Sequence, residues 1–178
     1  MAEQTIVIHI NGYWRDQHKS SLPECSGLFF VYEASYNVTD HTADLLKLIY
    51  IGEAENIKAR VFAPEYRLSW MTHLAPGHEL CYACAGVDKP LRERAWAAYI
   101  LTHKPPANTH VQGAFHYDTT TLVSTGKTAL INPVVTARKN KSKSMEALVW
   151  AQHKEIIPVR AVQIYSDHPN ERRLAMGE

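Results

Sequence analysis

A chain of 178 residues holds one ordinary domain with a full core and is too short for two comfortable ones. Hydrophobic residues make up 46%, which excludes disorder throughout, and 19 Lys and Arg against 18 Asp and Glu exclude nucleic-acid binding by bulk charge, leaving only a local patch. Three cysteines (Cys25, Cys81, Cys84) make no disulfide framework, Met1 to Gln17 lacks the apolar stretch of a signal peptide, and nothing approaches a membrane span, so a cytoplasmic location without membrane contact is expected.

Thr5 to Ile10 reads as a short strand ended by an Asn11-Gly12 turn. Leu22 to Gly27 is a loop, and Leu28-Phe29-Phe30-Val31-Tyr32 is a dense run of β-formers, hence a buried strand. Ser35 to Asp44 is polar and turn-rich, a surface excursion. Leu45 to Ile51 returns as a second strand, and the two should pair as an extended hairpin.

Glu53 to Phe62 reads as a helix whose apolar residues are Ile57, Val61 and Phe62. Pro64 interrupts it, and Tyr66 to Leu74 offers another short helix. His78 to Val87 is a third strand. Lys89-Pro90 opens the strongest helix, Leu91 to His103, with proline at a start where its missing N–H costs nothing; Pro105-Pro106 ends it. Thr119 to Ile131 suggests a hairpin, Met145 to Lys154 a helix and Val159 to Tyr165 a last strand. The expected architecture is α/β: a small mixed sheet of about three strands flanked by helices, in a single domain over 1–178 with a core at 22–112 and an extension at 113–178.

Four features fall in one order along that core. Gly27-Leu28-Phe29 opens a strand, Tyr50-Ile51-Gly52 closes the next, Arg60 lies ten residues after Tyr50, and the helix ending at His103 runs into Pro105-Pro106-Ala107-Asn108. This constellation resembles the GIY-YIG nuclease superfamily over roughly half of the chain. The resemblance implies a DNA endonuclease that uses Mg²⁺ or Mn²⁺: Tyr50 would position water, Arg60 would stabilise phosphate charge, and Asn108 would support the site. A guanidinium suits that role because it stays charged and can fork onto a phosphate.

The chain departs from the pattern at two main positions. Phe29 stands where the first motif ends in tyrosine, so packing is kept and a hydroxyl is lost; Tyr32, three residues on in a strand, faces the other way. The metal-binding glutamate falls twelve residues before the asparagine, at Trp96, and a neutral indole cannot bind Mg²⁺. Glu93, nearly one turn earlier on the same helix face, is the remaining carboxylate candidate, although between Arg92 and Arg94 it also reads as a solvated surface acid. Some members carry a histidine four residues after the arginine, where this chain has Pro64; His73 and His78 are the nearest substitutes. The alternative implied is an inactive nuclease fold that binds nucleic acid through Arg60 and the run containing Arg138, Lys139, Lys141 and Lys143, which otherwise reads as a solvated linker.

Other motifs fail on context. Cys81 and Cys84 have CxxC spacing inside a predicted strand, where they face opposite ways. Ser124 to Thr128 ends like a phosphate-binding loop but has Thr121 where an earlier glycine is needed.

Overall fold

The structure, a computed structural model, describes residues 3–109 and 115–139. Strand β1 (Gln4–Arg15) alternates strictly at its start: Ile6, Ile8 and Ile10 are buried, Thr5, Val7 and His9 exposed, as expected for a strand with one face on the core. The Asn11-Gly12 turn does not form; the strand continues through a bulge between Gly12 and Trp14. A 3₁₀ helix follows at Asp16–Ser21. Strands β2 (Gly27–Asn37) and β3 (Thr42–Ala54) form the extended hairpin, from Gly27 opposite Ala54 to Asn37 opposite Thr42. The polar excursion is therefore far shorter than Ser35 to Asp44, because both strands continue through most of it.

Helices α1 (Ile57–Phe62) and α2 (Pro64–Met71) follow, then β4 (Glu79–Gly86) and α3 (Lys89–His103). Pro90 in the first turn of α3 and left-handed Lys104 at its end, whose N–H donates to the Ile100 carbonyl at 2.9 Å, mark its limits. Strands β5 (Thr120–Gly126) and β6 (Val134–Ala137) pair as a hairpin shifted toward the C-terminus of the expected one. The helix at Met145 to Lys154 and the strand at Val159 to Tyr165 lie outside the described residues.

The expectation of about three strands flanked by helices is overturned. The sheet has six strands in the order β3-β2-β4-β1-β5-β6, with β1 parallel to β5 and the other pairs antiparallel. The early strand and the late hairpin join the central strands through β1, which pairs with β4 on one side and β5 on the other. A flat sheet of six strands would span about 24 Å, five spacings of about 4.8 Å, against a helix diameter of about 10–12 Å. Yet α3 touches β3 at one edge and β6 at the other, so the sheet curls around it.

Strand β2 is buried on both faces for its first eight residues, which explains its unbroken apolar run. Leu28, Phe30 and Tyr32 meet Ala95, Ala98 and Tyr99 of α3, in a core that also takes Ile6, Ile8 and Ile10. Phe29 and Val31 face the opposite way, with Ile57, Val61 and Trp70 of α1 and α2. Among the described residues, no helix covers the outer face of β1 and β6, where Val7 and Val134 stay exposed.

Candidate functional site

Two glycines of the motif pair are demanded by close approach of chain to chain. A Cβ on Gly27 would lie 2.0 Å from the Ala85 carbonyl oxygen of β4. A Cβ on Gly52 would lie 2.1 Å from Cζ of Phe29, its cross-strand partner, whose ring covers the glycine. Phe29 is fully buried there, with its ring 5.8 Å from that of Tyr50 and 5.9 Å from that of Trp70. Tyr50 is half-buried and lies 5.4 Å from Trp70, centroid to centroid. Burial pushes its hydroxyl up to about 12; the neighbouring Tyr66 adds to the shift and Arg60 opposes it.

Trp70 is the hub of this aromatic group. Its far side stacks on Tyr66 of α2, with centroids 6.3 Å apart. The Tyr66 hydroxyl accepts a hydrogen bond from Nη1 of Arg60 at 2.5 Å, and the guanidinium carbon lies 4.9 Å from the Tyr66 ring centre. Arg60 is the fourth residue of α1, which is shorter than the expected Glu53 to Phe62 because Glu53 and Ala54 belong to β3 and the helix starts only after Asn56. The Asn56 side chain caps α1 by accepting from the Ala59 N–H at 2.9 Å. Pro64 opens α2 and so sets the turn that brings Tyr66 back over α1.

Arg60 and Tyr66 line an open cleft of about 550 Å³, together with Glu53 at the end of β3 and Lys89, Arg92 and Glu93 at the start of α3. The fold thus brings Arg60 and Glu93, 33 positions apart, to one cavity. Buried Arg92 binds Glu53 and donates to Ser26 Oγ at 2.8 Å, and Lys89 pairs with Glu55 at 3.1 Å. Arg60 is exposed and, among the described residues, no carboxylate pairs with it; its partner is a neutral phenol. Tyr50, His73 and His78 do not line the cleft; His78 instead sits 2.6 Å from the Glu33 carboxylate.

Trp96 and Asn108 converge on Ile51 of the edge strand β3. Trp96 Nε1 donates to the Ile51 carbonyl at 2.9 Å, and its half-buried ring packs against the α3-side core. Asn108 Nδ2 donates to the same carbonyl at 3.0 Å, and its Oδ1 accepts from the Ile51 N–H at 2.9 Å. The Ala107 N–H donates to the Ile49 carbonyl at 3.0 Å. The loop after Pro105 therefore completes the bonding of β3 as a further strand would. Trp96 is a structural ligand of Ile51 and does not line the cleft.

Among the described residues, no group of three His, Cys, Asp or Glu is arranged to hold a metal ion. Mg²⁺ needs less, one or two carboxylates with water and phosphate making up its shell. Four carboxylates line the cleft, Glu53, Glu55, Glu65 and Glu93, of which Glu53 is bound to Arg92 and Glu55 to Lys89. Arg138 and Lys139 follow β6, the edge strand opposite β3, and Lys139 lies 3.9 Å from the Asp118 carboxylate; Lys141 and Lys143 lie outside the described residues. Cys81 and Cys84 are buried on opposite faces of β4, their thiols pushed up by burial to about 11 and about 12, which leaves neither poised as a nucleophile. No described helix is long and apolar enough to cross a membrane.

Sequence reasoning missed Tyr66, Glu53 and Arg92. Glu53 follows the Tyr50-Ile51-Gly52 motif directly and was open to discovery on that ground. Nothing local distinguishes Tyr66 among nine tyrosines. Comparison with known proteins finds no matching family, no similar characterised protein and no similar solved structure, so the chemistry rests on the residues themselves.

Proposed function

We propose that the chain is a GIY-YIG-type nuclease domain that binds a nucleic-acid phosphodiester, DNA being the expected substrate, in the Arg60 cleft and hydrolyses it with Mg²⁺ or Mn²⁺. The observation that carries this reading is the state of Arg60: an exposed guanidinium on a cleft wall, held by a neutral hydroxyl and unpaired with any described carboxylate. A cation held in this way keeps its charge for an incoming anion. Glu93 lines the same cleft, which is the support for a metal held beside that anion. In hydrolysis a water oxygen bonds to phosphorus, the ester P–O bond breaks, and the proton released by water ends on the leaving oxygen. A bound metal would supply positive charge to that exchange. Arg60 binds the non-bridging oxygens, whose charge grows toward the transition state. Tyr50 keeps its proton at neutral pH and does not line the cleft, so on this reading it does not deprotonate the water.

A second reading, binding without cleavage, is favoured by Trp96. Its indole occupies the position at which the resemblance puts the metal carboxylate, and it is committed to Ile51. The two readings separate on supercoiled plasmid with Mg²⁺ or Mn²⁺. Nicking by the native protein that is lost in Arg60→Ala supports the nuclease. Silence from the native protein with cutting by Trp96→Glu supports a nuclease fold disarmed at one position. Silence from both, with no plasmid bound, overturns both readings.

A further inference from the structure

The geometry points to Tyr66 as a phosphate-binding residue of this site beside Arg60; the inference rests on the reading of the Arg60 cleft given above. Phe29, Tyr50 and Tyr66 all pack around Trp70. Of the three rings, only that of Tyr66 lines the cleft. Phe29 is fully buried beneath Gly52, so even a hydroxyl at that position would lie inside the protein.

The hydrogen bond from Arg60 assigns the Tyr66 proton. A phenol has one O–H to donate and lone pairs with which to accept. Arg60 Nη1 has no acceptor capacity, so at 2.5 Å it must be the donor and the Tyr66 oxygen the acceptor. The Tyr66 O–H is therefore turned away from the guanidinium. A phosphodiester drawn to Arg60 meets two donors on one wall of the cleft, guanidinium N–H and phenol O–H, which match its two non-bridging oxygens. Accepting from a cation also polarises the phenol and strengthens its own donation. The stack on Trp70 fixes the ring, so little rotamer freedom is lost when the phosphate binds.

The test compares native protein, Tyr66→Phe and Arg60→Ala by fluorescence anisotropy with a fluorescein-labelled DNA duplex over a range of salt concentrations. Cleavage of the same duplex with Mg²⁺ is followed in parallel. Phenylalanine keeps the ring and its stack, so an unchanged thermal midpoint is expected, and the comparison isolates the hydroxyl. Tyr66→Phe should weaken binding by about tenfold or more, the effect of one hydrogen bond to a charged group. Its salt dependence should match that of the native protein, because no charge is removed. Arg60→Ala should weaken binding and lower the salt slope by about one phosphate contact. Tyr66→His, which keeps a ring N–H donor, should recover part of the loss. Native binding and cleavage retained in full by Tyr66→Phe would overturn this inference alone. A native protein that binds no duplex at low salt would overturn the reading of the cleft, and this inference with it.

Discussion

The carboxamide of Asn108 brackets the peptide of Ile51: Oδ1 accepts from its N–H at 2.9 Å and Nδ2 donates to its carbonyl at 3.0 Å. Asn108 is 4% exposed and Ile51 is fully buried, so water cannot replace either bond. Asn108→Ala orphans the Ile51 N–H while Trp96 still holds the carbonyl, and should cost about 2–3 kcal/mol. Trp96→Phe leaves the carbonyl bonded to Asn108 and should cost less, near 1 kcal/mol for the single bond. The double variant should lose more than the sum, because the carbonyl then has no partner. Urea midpoints of the four proteins check this; strict additivity would refute the shared clamp.

Gly52→Ala forces a methyl group onto the Phe29 ring. That ring is held by Tyr50 and Trp70 and cannot swing away, so the substitution should destabilise by about 1–3 kcal/mol. Phe29→Leu in the same background removes the clashing ring and should recover part of the loss. Thermal unfolding of both variants decides it, and a Gly52→Ala protein as stable as the native one would contradict the packing described.

His103 ties the end of α3 to the loop before β6. Its Nε2 accepts from the Asn132 N–H at 3.0 Å and its Nδ1 donates to the Tyr99 carbonyl at 3.0 Å, which defines the neutral tautomer with the proton on Nδ1. Burial holds the imidazole below its ordinary value near 6.5, the bond to Tyr99 opposing. Below that pH the unfolded chain binds a proton that the folded chain refuses, so stability rises with pH. The contribution is complete above about 6.5 and is lost as pH falls from there through the folded value. The thermal midpoint should drop as pH falls below about 6.5, and His103→Gln should flatten that part of the curve. An unchanged slope in the variant would refute the assignment.

Asp16 gathers three elements. It accepts from Arg67 of α2 at 2.6 Å, from the hydroxyl of Tyr82 in β4 at 2.8 Å and from Lys19 at 3.2 Å. Burial by itself would raise its carboxyl, but the bonds from Arg67, Tyr82 and Lys19 outweigh it and hold the group below its usual range. Its contribution is present above the unfolded value near 4 and disappears as pH falls through the folded one, a window separate from that of His103. Asp16→Ala leaves the Tyr82 hydroxyl without its acceptor and should cost about 2–3 kcal/mol. Guanidinium denaturation should show this cost in full at pH 7 and progressively less of it as the pH falls below about 4.

Local patterning fixed the elements that local chemistry controls. The β-former run from Leu28 to Tyr32, the Pro90 start and Pro105 stop of α3, and the pairing of the strands around Phe30 and Ile51 were all legible, because they depend on residues close in sequence or joined by one turn. Helix α1 was overextended because Glu53 and Ala54 pair with Leu28 and Gly27 across the hairpin, and that ladder overrides their helix propensity. The placing of β1 was not legible at all. An alternating strand records which of its faces is buried, not which strands lie beside it, and the partners of β1 lie some seventy and more than a hundred residues away. A small sheet therefore became a six-stranded one curled around α3.

The site divides along the same line. Residue types and spacing singled out Tyr50, Arg60, Trp96 and Asn108, since spacing within a motif survives in one dimension. Only the tertiary structure decided that Trp96 is spent on the Ile51 carbonyl, that Arg60 and Glu93 share a cleft, and that Tyr66 holds Arg60. Each of those facts is a distance between side chains on different elements, set by how α1, α2 and α3 pack on a curled sheet, and no local sequence pattern encodes it.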